Sequence, residues 1–295
     1  MPHYLASAAD FEIIKYAPSI SQPELDKSGS EPQILTASTW THVGAPLNPD
    51  CLPSSYHTWS RGTFGSGDVL ALLVPFLTFL HNFMKDTHMT HYCLSIRAQK
   101  ANLDFTRPRW HVDRRFFDAD RPDKGVPEEA NLRERGGERK PSNWKIATAL
   151  VGPGTLFLKD GRRARQLQNE IEARKKSENR KRGHFAVDET HVCTSFRCLG
   201  CADMAESVRV DLAKAVRGMD IVQAKSGELV VFKVDGYNSC DGEPAMHSEP
   251  DMSDGDRLFV HVVPGREEEL RRLVEGWGME FPKDWCVGVL QDWET

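Results

Sequence analysis

The sequence has no uninterrupted apolar run long enough to span a bilayer. A relaxed membrane helix needs about 20 apolar residues, whereas the most apolar stretch, Val69–Met84, is shorter and contains Pro75. This stretch predicts a buried helix, capped near Ser66 or Asp68. The first residues also lack a basic segment followed by an apolar one. We therefore expect an intracellular, cytoplasmic protein with no membrane partner.

Cysteine and positive charge are also limited. Seven cysteines are an odd number in a long chain, which favours reduced thiols over a disulfide framework. The net charge is -5, so the overall balance gives no reason to expect a nucleic acid or an anionic membrane as partner. The 295 residues, 39% of them hydrophobic, suit a globular protein with a sizeable core.

Two metal-ligating residue types are separated by one position in the segment 109–113, Arg-Trp-His-Val-Asp. Successive side chains of a β-strand point to opposite faces, so His111 and Asp113 project to the same side of a strand. Pro108 favours an extended approach to this segment. The pattern therefore predicts two metal ligands from one strand.

A third ligand must come from a second strand, and His247 is the strongest candidate. Two histidines and one carboxylate on one face of a metal leave its other positions open, as in non-haem Fe(II) oxygenases. Arg257 follows ten residues later, at the start of the apolar run 257–263. Two alternatives stay open: His261 could replace His247, and Glu249 could supply the carboxylate.

The order of these motifs resembles a known family. The His-x-Asp motif, then the strand pair 144–158 with its Gly-Pro-Gly-Thr turn, then His247 and Arg257, is similar to the Fe(II)/2-oxoglutarate-dependent oxygenases. The resemblance covers about half of the chain, within 92–264. It implies a mainly β fold with flanking helices around a double-stranded β-helix, the jelly-roll or cupin-like core. The most similar branch is uncharacterised, so no particular substrate is implied.

The resemblance also implies roles for individual residues. His111, Asp113 and His247, hereafter the triad, would hold catalytic Fe(II), with 2-oxoglutarate as cosubstrate. Arg257 would bind the distal carboxylate of 2-oxoglutarate, and Thr155 would line the same pocket. The segment that carries Thr155 is two apolar strands joined by a Gly-Pro-Gly turn, which an ordinary β-hairpin would also show.

Some residues near the triad depart from the family pattern. Phe259 stands where some branches have a small hydroxyl residue, so the second hydrogen bond to the distal carboxylate is expected from elsewhere, with Thr155 as a candidate. Arg114 and Arg115 directly follow the triad's Asp and could receive an anionic substrate. Trp110 and Arg115 could shape the substrate side of the site or could simply pack.

The implied function is a dioxygenase that hydroxylates or otherwise oxidises its substrate. A small molecule is expected, because no recognisable peptide-binding module accompanies the core. Two other functions stay open: a cupin-like metalloenzyme that does not use 2-oxoglutarate, and a catalytically silent jelly-roll binding protein. Arg257 discriminates among them, because only the oxygenase needs a cation at that position.

We expect a single domain over residues 1–295, in four parts. Residues 1–64, rich in Pro, Ser and Thr, predict an N-terminal arm with short strands or turns. Residues 65–158 predict a helix and the first core strands, 159–220 a helical and basic insertion, and 221–295 the remaining core strands with a C-terminal helix.

The insertion contains a strongly basic run. Residues 162–182 carry nine Lys or Arg against three Glu, which is usual for a solvated helix or a disordered excursion. The run has no interleaved aromatic residues to stack on bases, so we do not expect nucleic acid as a partner.

The insertion also contains a cysteine motif. Cys193, Cys198 and Cys201 follow His191, and Cys240 lies further along. Plant-type ferredoxins hold a [2Fe-2S] cluster with this order of spacings. A zinc site of His191 and the three thiols has the same residue types, and thiols of this kind also often pack inside a fold. The three interpretations stay open.

Overall fold

A computed structural model describes residues 10–17, 31–103, 106–113, 116–117, 144–180, 187, 191, 198–234 and 244–289. Arg114, Arg115, Cys193 and Cys240 lie outside the described residues. The protein is mainly β, with twelve strands and five helices among the described residues.

The strands are numbered in chain order. They are β1 (Phe11–Lys15), β2 (Gln33–Ile34), β3 (Ser38–Gly44), β4 (Phe64–Ser66), β5 (His91–Gln99), β6 (Trp144–Val151), β7 (Leu156–Leu158), β8 (Ile221–Gln223), β9 (Glu228–Lys233), β10 (His247–Ser248), β11 (Arg257–Gly265) and β12 (Lys283–Val287). The helices are α1 (Ser54–Thr63), α2 (Val69–Thr87), α3 (Gly161–Arg180), α4 (Leu199–Ala215) and α5 (Glu267–Gly276).

Two antiparallel sheets organise the chain. The large sheet has seven strands in the order β1-β9-β6-β11-β5-β3-β12, and the small sheet has the order β10-β7-β8. The β2 and β4 strands form a separate pair. Residues 1–64, expected as an arm, supply β1 at one edge of the large sheet and β3 inside it. Strand β12 lies at the opposite edge.

The large sheet has two chemically different faces. Leu258, Val260 and Val262 of β11 alternate onto the face that packs in the main core with α1 and α2. Phe259, between them, packs in a second cluster with Phe157 of the small sheet. Because side chains of a strand alternate between its faces, His261 and Phe259 share this second face. The small sheet therefore lies on the side opposite α1 and α2.

Helix α2 confirms the predicted apolar helix. Asp68 is its N-cap and accepts a 3.1 Å hydrogen bond from the Ala71 N–H, which satisfies one of the exposed donors of the first turn. The helix is long and apolar enough to cross a membrane by length and composition alone. Seven of its side chains are buried, and Leu73, Phe76 and Leu80 among them pack in the main core.

The insertion folds against the outer side of the small sheet. Helices α3 and α4 pack in a cluster that combines Met204, Val208 and Leu212 of α4 with Leu158 and Met246 beside the small sheet. On the surface, Asp211 of α4 pairs with basic side chains of α3, Arg174 at 2.9 Å and Lys175 at 2.8 Å. The basic run is thus a helix that is partly neutralised by its neighbour.

The predicted pair of apolar strands at 144–158 is present, but it is not a hairpin. Strand β6 pairs with β9 and β11 in the large sheet, whereas β7 pairs with β8 and β10 in the small one. The intervening turn therefore carries the chain from one sheet to the other. Gly152 has φ +75°, and a Cβ there would collide with the carbonyl oxygen of Asp256. Only glycine allows this conformation and this approach to the start of β11.

We predict that Gly152→Ala destabilises the fold and Gly255→Ala does not. The first change places a side chain in a left-handed conformation against backbone, which should lower the free energy of unfolding by about 2 kcal/mol or more. Gly255, in the loop that Gly152 contacts, has nothing within 4 Å of an added Cβ. Denaturant titration measures both, and equal stability of the two variants would contradict the role of Gly152.

Candidate functional site

Two backbone hydrogen bonds bring the predicted ligands together. The His111 N–H donates to the His247 carbonyl at 2.9 Å, and the His247 N–H donates to the His111 carbonyl at 3.0 Å. His111 therefore extends the small sheet beyond β10 as an antiparallel bridge. Directly paired residues of antiparallel strands project to the same face, so the two imidazoles lie side by side, with ring centroids 4.4 Å apart.

The triad converges as the sequence predicts. One ligand atom from each of His111, Asp113 and His247 lies within 4.8 Å of the others. The His111 Nε2 is 3.9 Å from Asp113 Oδ1, and the His247 Nε2 is 3.6 Å from Asp113 Oδ2. His247 is buried, and the other two are half-buried.

Both histidines are held in the tautomer that a metal requires. His111 Nδ1 lies 2.8 Å from the Arg109 carbonyl oxygen, and His247 Nδ1 lies 3.0 Å from the Ala245 carbonyl oxygen. A carbonyl oxygen only accepts hydrogen bonds, so each Nδ1 must carry the proton. Each Nε2 is then the nitrogen nearer to Asp113 and is left for a metal. Such outer hydrogen bonds are the usual means of orienting ligating imidazoles.

The protonation states also suit metal binding. Burial, followed by the neighbouring His111, lowers the pKa of His247 to about 4, so His247 is neutral at pH 7. Burial raises the pKa of Asp113, but the charge and hydrogen bond of Lys145 lead the effects that outweigh it and leave this pKa below its ordinary value. The carboxylate is therefore ionised and able to bind a cation.

Lys145 of β6 is a member of the site that the sequence did not reveal. Its Nζ lies 2.6 Å from Asp113 Oδ2, and both side chains are largely shielded from solvent. The same ammonium lies 5.8 Å from the centre of the Phe232 ring. Phe232 and Phe157 also flank His247, with centroids 5.0 and 5.6 Å from its ring. The Lys145 ammonium and the Phe232 ring of the large sheet, together with the Phe157 ring of the small sheet, thus border the triad.

Arg257 and Thr155 meet, as the resemblance implies. Arg257 is only 1% exposed, and its Nη2 donates to Thr155 Oγ1 at 3.0 Å. Its Nε donates to the Pro153 carbonyl and its Nη1 to Gln99 Oε1, and the Phe259 ring lies 4.2 Å away. Burial lowers the pKa of Arg257 to about 10, so it stays charged at pH 7. All these partners are neutral. No carboxylate forms a direct ion pair with Arg257 within the described residues, but the charge of Glu249 partly offsets the effect of burial on its pKa.

The open alternatives for the ligands are separated in space. His261 is buried on β11, and its Nδ1 has no hydrogen-bond partner in the part of the chain that is described. Burial, then the charges of Lys145 and Arg97, lower the pKa of His261 well below its ordinary value. Neither His261 nor Glu249 belongs to the converging group, although the charges of His111 and His247 act on the Glu249 carboxylate. Trp110 packs toward the insertion, with Leu158 and Met246, and not into the site.

No family model matches the chain, and no curated protein matches it significantly. The functional conclusion therefore rests on the residues themselves.

Alanine at any triad position should abolish binding of Fe(II) by the anaerobically purified protein, because two ligands alone bind weakly. His261→Asn and Glu249→Gln should leave the metal content unchanged, since neither side chain reaches the triad. Elemental analysis after gel filtration measures the occupancy. Full occupancy in the His111→Ala/Asp113→Ala double variant would rule out the triad as the site.

Lys145→Met should change stability and metal affinity in opposite directions. Asp113 loses its buried partner, so the free energy of unfolding of the metal-free protein should fall by about 3 kcal/mol. The ammonium no longer competes for Asp113 Oδ2, so Fe(II) should bind more tightly. Denaturant titration and anaerobic calorimetry measure the two effects.

The matched control is Lys159→Met, which removes a surface pair with Asp220 at 3.8 Å. It should change stability by less than about 1 kcal/mol and leave metal affinity unaltered. If Lys145→Met bound Fe(II) more weakly than the wild type, this would contradict competition between the Lys145 ammonium and the metal for Asp113.

Proposed function

We propose that this protein is a non-haem Fe(II)- and 2-oxoglutarate-dependent dioxygenase that oxidises a small molecule. The observation that carries the proposal is the combination of the converging triad with a buried cation, Arg257, that has no carboxylate partner among the described residues. The first is a candidate metal site, and the second is a candidate anion site. An oxygenase of this class requires both.

We also propose that the core is a double-stranded β-helix. In support, β9, β6, β11 and β5 are consecutive in the large sheet, while the His111 segment, β10, β7 and β8 are consecutive in the small one. From β5 to β11 the chain passes between the sheets at every step except β7 to β8. This alternation wraps one chain into two packed sheets, as jelly-roll folds do.

The donor set fits a first-row divalent metal. Two imidazoles and one carboxylate on one side leave the remaining positions open, which is the ligand type and number of the non-haem Fe(II) oxygenases. Neighbouring ligands of an octahedral metal with bonds of about 2.1 Å lie about 3 Å apart. The observed separations of 3.6 and 3.9 Å exceed this by less than about 1 Å, a difference that side-chain rotation can close.

The surroundings of Arg257 fit the distal carboxylate of 2-oxoglutarate. The guanidinium has five N–H groups, and hydrogen bonds from Nε, Nη1 and Nη2 to described residues use three of them. Thr155 Oγ1 already accepts from Arg257, so its O–H is left to donate to an anion. The hydroxyl can thus supply the hydrogen bond that Phe259 cannot, while the Phe259 ring supports the guanidinium.

The distance between the two subsites suits a five-carbon diacid. His247 pairs directly with Phe157 of β7, and Thr155 lies two residues earlier. Residues two apart along an extended chain share a face and lie about 6–7 Å apart. Thr155, which marks the candidate anion site, is therefore about 6–7 Å along the strand from the position that pairs with His247. This separation allows one 2-oxoglutarate molecule to reach both the metal and Arg257.

In the proposed reaction each side chain has a separate task. When bound, Fe(II) and 2-oxoglutarate supply the oxidising chemistry, in which oxygen and the decarboxylation of the cosubstrate to succinate drive oxidation of the substrate. The triad holds the metal, with the two imidazoles fixed by backbone carbonyls. Arg257 and Thr155 orient the cosubstrate by its far end. Phe157 and Phe232 shield the site from water.

The deciding test is anaerobic titration of the Fe(II)-loaded protein with 2-oxoglutarate, followed by calorimetry and by the visible charge-transfer band of an Fe(II)-keto-acid chelate. Arg257→Ala should weaken cosubstrate binding by about 30-fold to several thousandfold, since losing one partner of a buried charged pair costs about 2–5 kcal/mol. Fe(II) binding should be unchanged. Under air, the wild-type protein should release succinate.

Three further variants make the test specific. Arg257→Lys should retain part of the affinity, because a lysine keeps the charge but not the planar fork. Thr155→Val should weaken binding by about tenfold, the scale of one hydrogen bond to a charged group. Arg271→Ala, which removes a surface pair with Glu267, should have no effect. If the wild type binds Fe(II) but shows neither band nor heat at millimolar 2-oxoglutarate, the proposal fails in favour of a cupin-like metalloenzyme.

A further inference from the structure

A second group of metal-ligating side chains lies in the insertion, apart from the triad. Cys198 is the N-cap residue of α4, and Cys201 lies in the first turn of that helix. His191 approaches both, with its Nε2 3.3 Å from the Cys201 sulfur and 3.8 Å from the Cys198 sulfur. The three ligand atoms all lie within 4.8 Å of one another.

These distances match the geometry of a tetrahedral zinc ion. Zinc binds thiolate sulfur at about 2.3 Å and imidazole nitrogen at about 2.0–2.1 Å, so at the tetrahedral angle the two ligand atoms lie about 3.6 Å apart. The observed separations of 3.3 and 3.8 Å fall on either side of that value. Very little movement of the three side chains would be needed to enclose the ion.

The surroundings of the group favour a metal over a packed cluster of thiols. Cys198 and Cys201 are only half-buried and His191 is exposed, so the group lies at the surface edge of the apolar cluster that Cys201 contacts. The ferredoxin-like cluster uses thiolates alone, whereas an imidazole combined with thiolates is typical of zinc.

The start of α4 lies at the surface. Leu199 is 80% exposed, and the first fully buried side chain of the helix is Met204. Glu206, two residues after Met204, forms an ion pair with Arg109 at 2.6 Å. Arg109 precedes His111 by two positions. A metal at the helix start would fix the first turn of the element that contacts the triad strand.

We propose that His191, Cys198 and Cys201 form a structural zinc site that fixes the N-terminus of α4. Zinc takes four ligands, so one position is left for a water molecule or one further side chain. The site is independent of the proposed Fe(II) site and does not depend on the oxygenase function.

Metal analysis in a background without the triad tests the proposal. The His111→Ala/Asp113→Ala protein should still contain one equivalent of zinc, and adding Cys198→Ser or Cys201→Ser should remove it. Cys51→Ser, which changes an exposed free thiol, is the matched control and should retain the zinc. Cobalt substituted for zinc should give a thiolate-to-cobalt charge-transfer band that is lost only in the Cys198 and Cys201 variants.

A second measurement uses the unmutated protein, so it does not depend on the folding of the variants. Cys198 and Cys201 should resist alkylation until a chelator strips the zinc, and both should then react, whereas Cys51 should react at the same rate throughout. Equal rates with and without chelator would overturn the proposal. A disulfide between Cys198 and Cys201 in the freshly isolated protein, or a cobalt spectrum that ignores their substitution, would do the same.

Discussion

The pair of backbone hydrogen bonds between His111 and His247 is the contact on which the candidate site depends. It joins strands whose residues are 136 positions apart in the chain (247 minus 111). Because side chains alternate along a strand, a slip of one residue in this pairing would turn one imidazole to the opposite face of the sheet. The small sheet, the insertion behind it and the Gly152 turn that leads into it all fix this register.

The residues that could be predicted from the sequence are those whose arrangement is set locally. His111 and Asp113 share a face because any strand places alternate residues together. Helix α2 begins directly after Asp68, because its capping side chain and its apolar period are both encoded within one segment. Arg257 and Thr155 were linked by the resemblance to the oxygenases, and their direct hydrogen bond agrees with that link.

The features that were missed depend on which strands become neighbours. Lys145 looks like an ordinary charge at the start of an apolar strand, and only the placement of β6 beside β9 in the large sheet brings its ammonium to Asp113. The segment 144–158 has the local pattern of a hairpin, but its strands find partners in different sheets. The local sequence determines neither the position of Lys145 nor the partners of β6 and β7, because both depend on contacts between segments that are far apart in the chain.

The ion pair between Lys145 and Asp113 has a consequence for the order of assembly. In a zinc finger the ligands have no partner of their own, so the polypeptide stays unfolded until the metal arrives. Here the ligating carboxylate is already neutralised by an internal ammonium, and the large apolar core needs no ion to form. The polypeptide can therefore fold before any metal is bound, and the proposed metal can bind and dissociate without unfolding it.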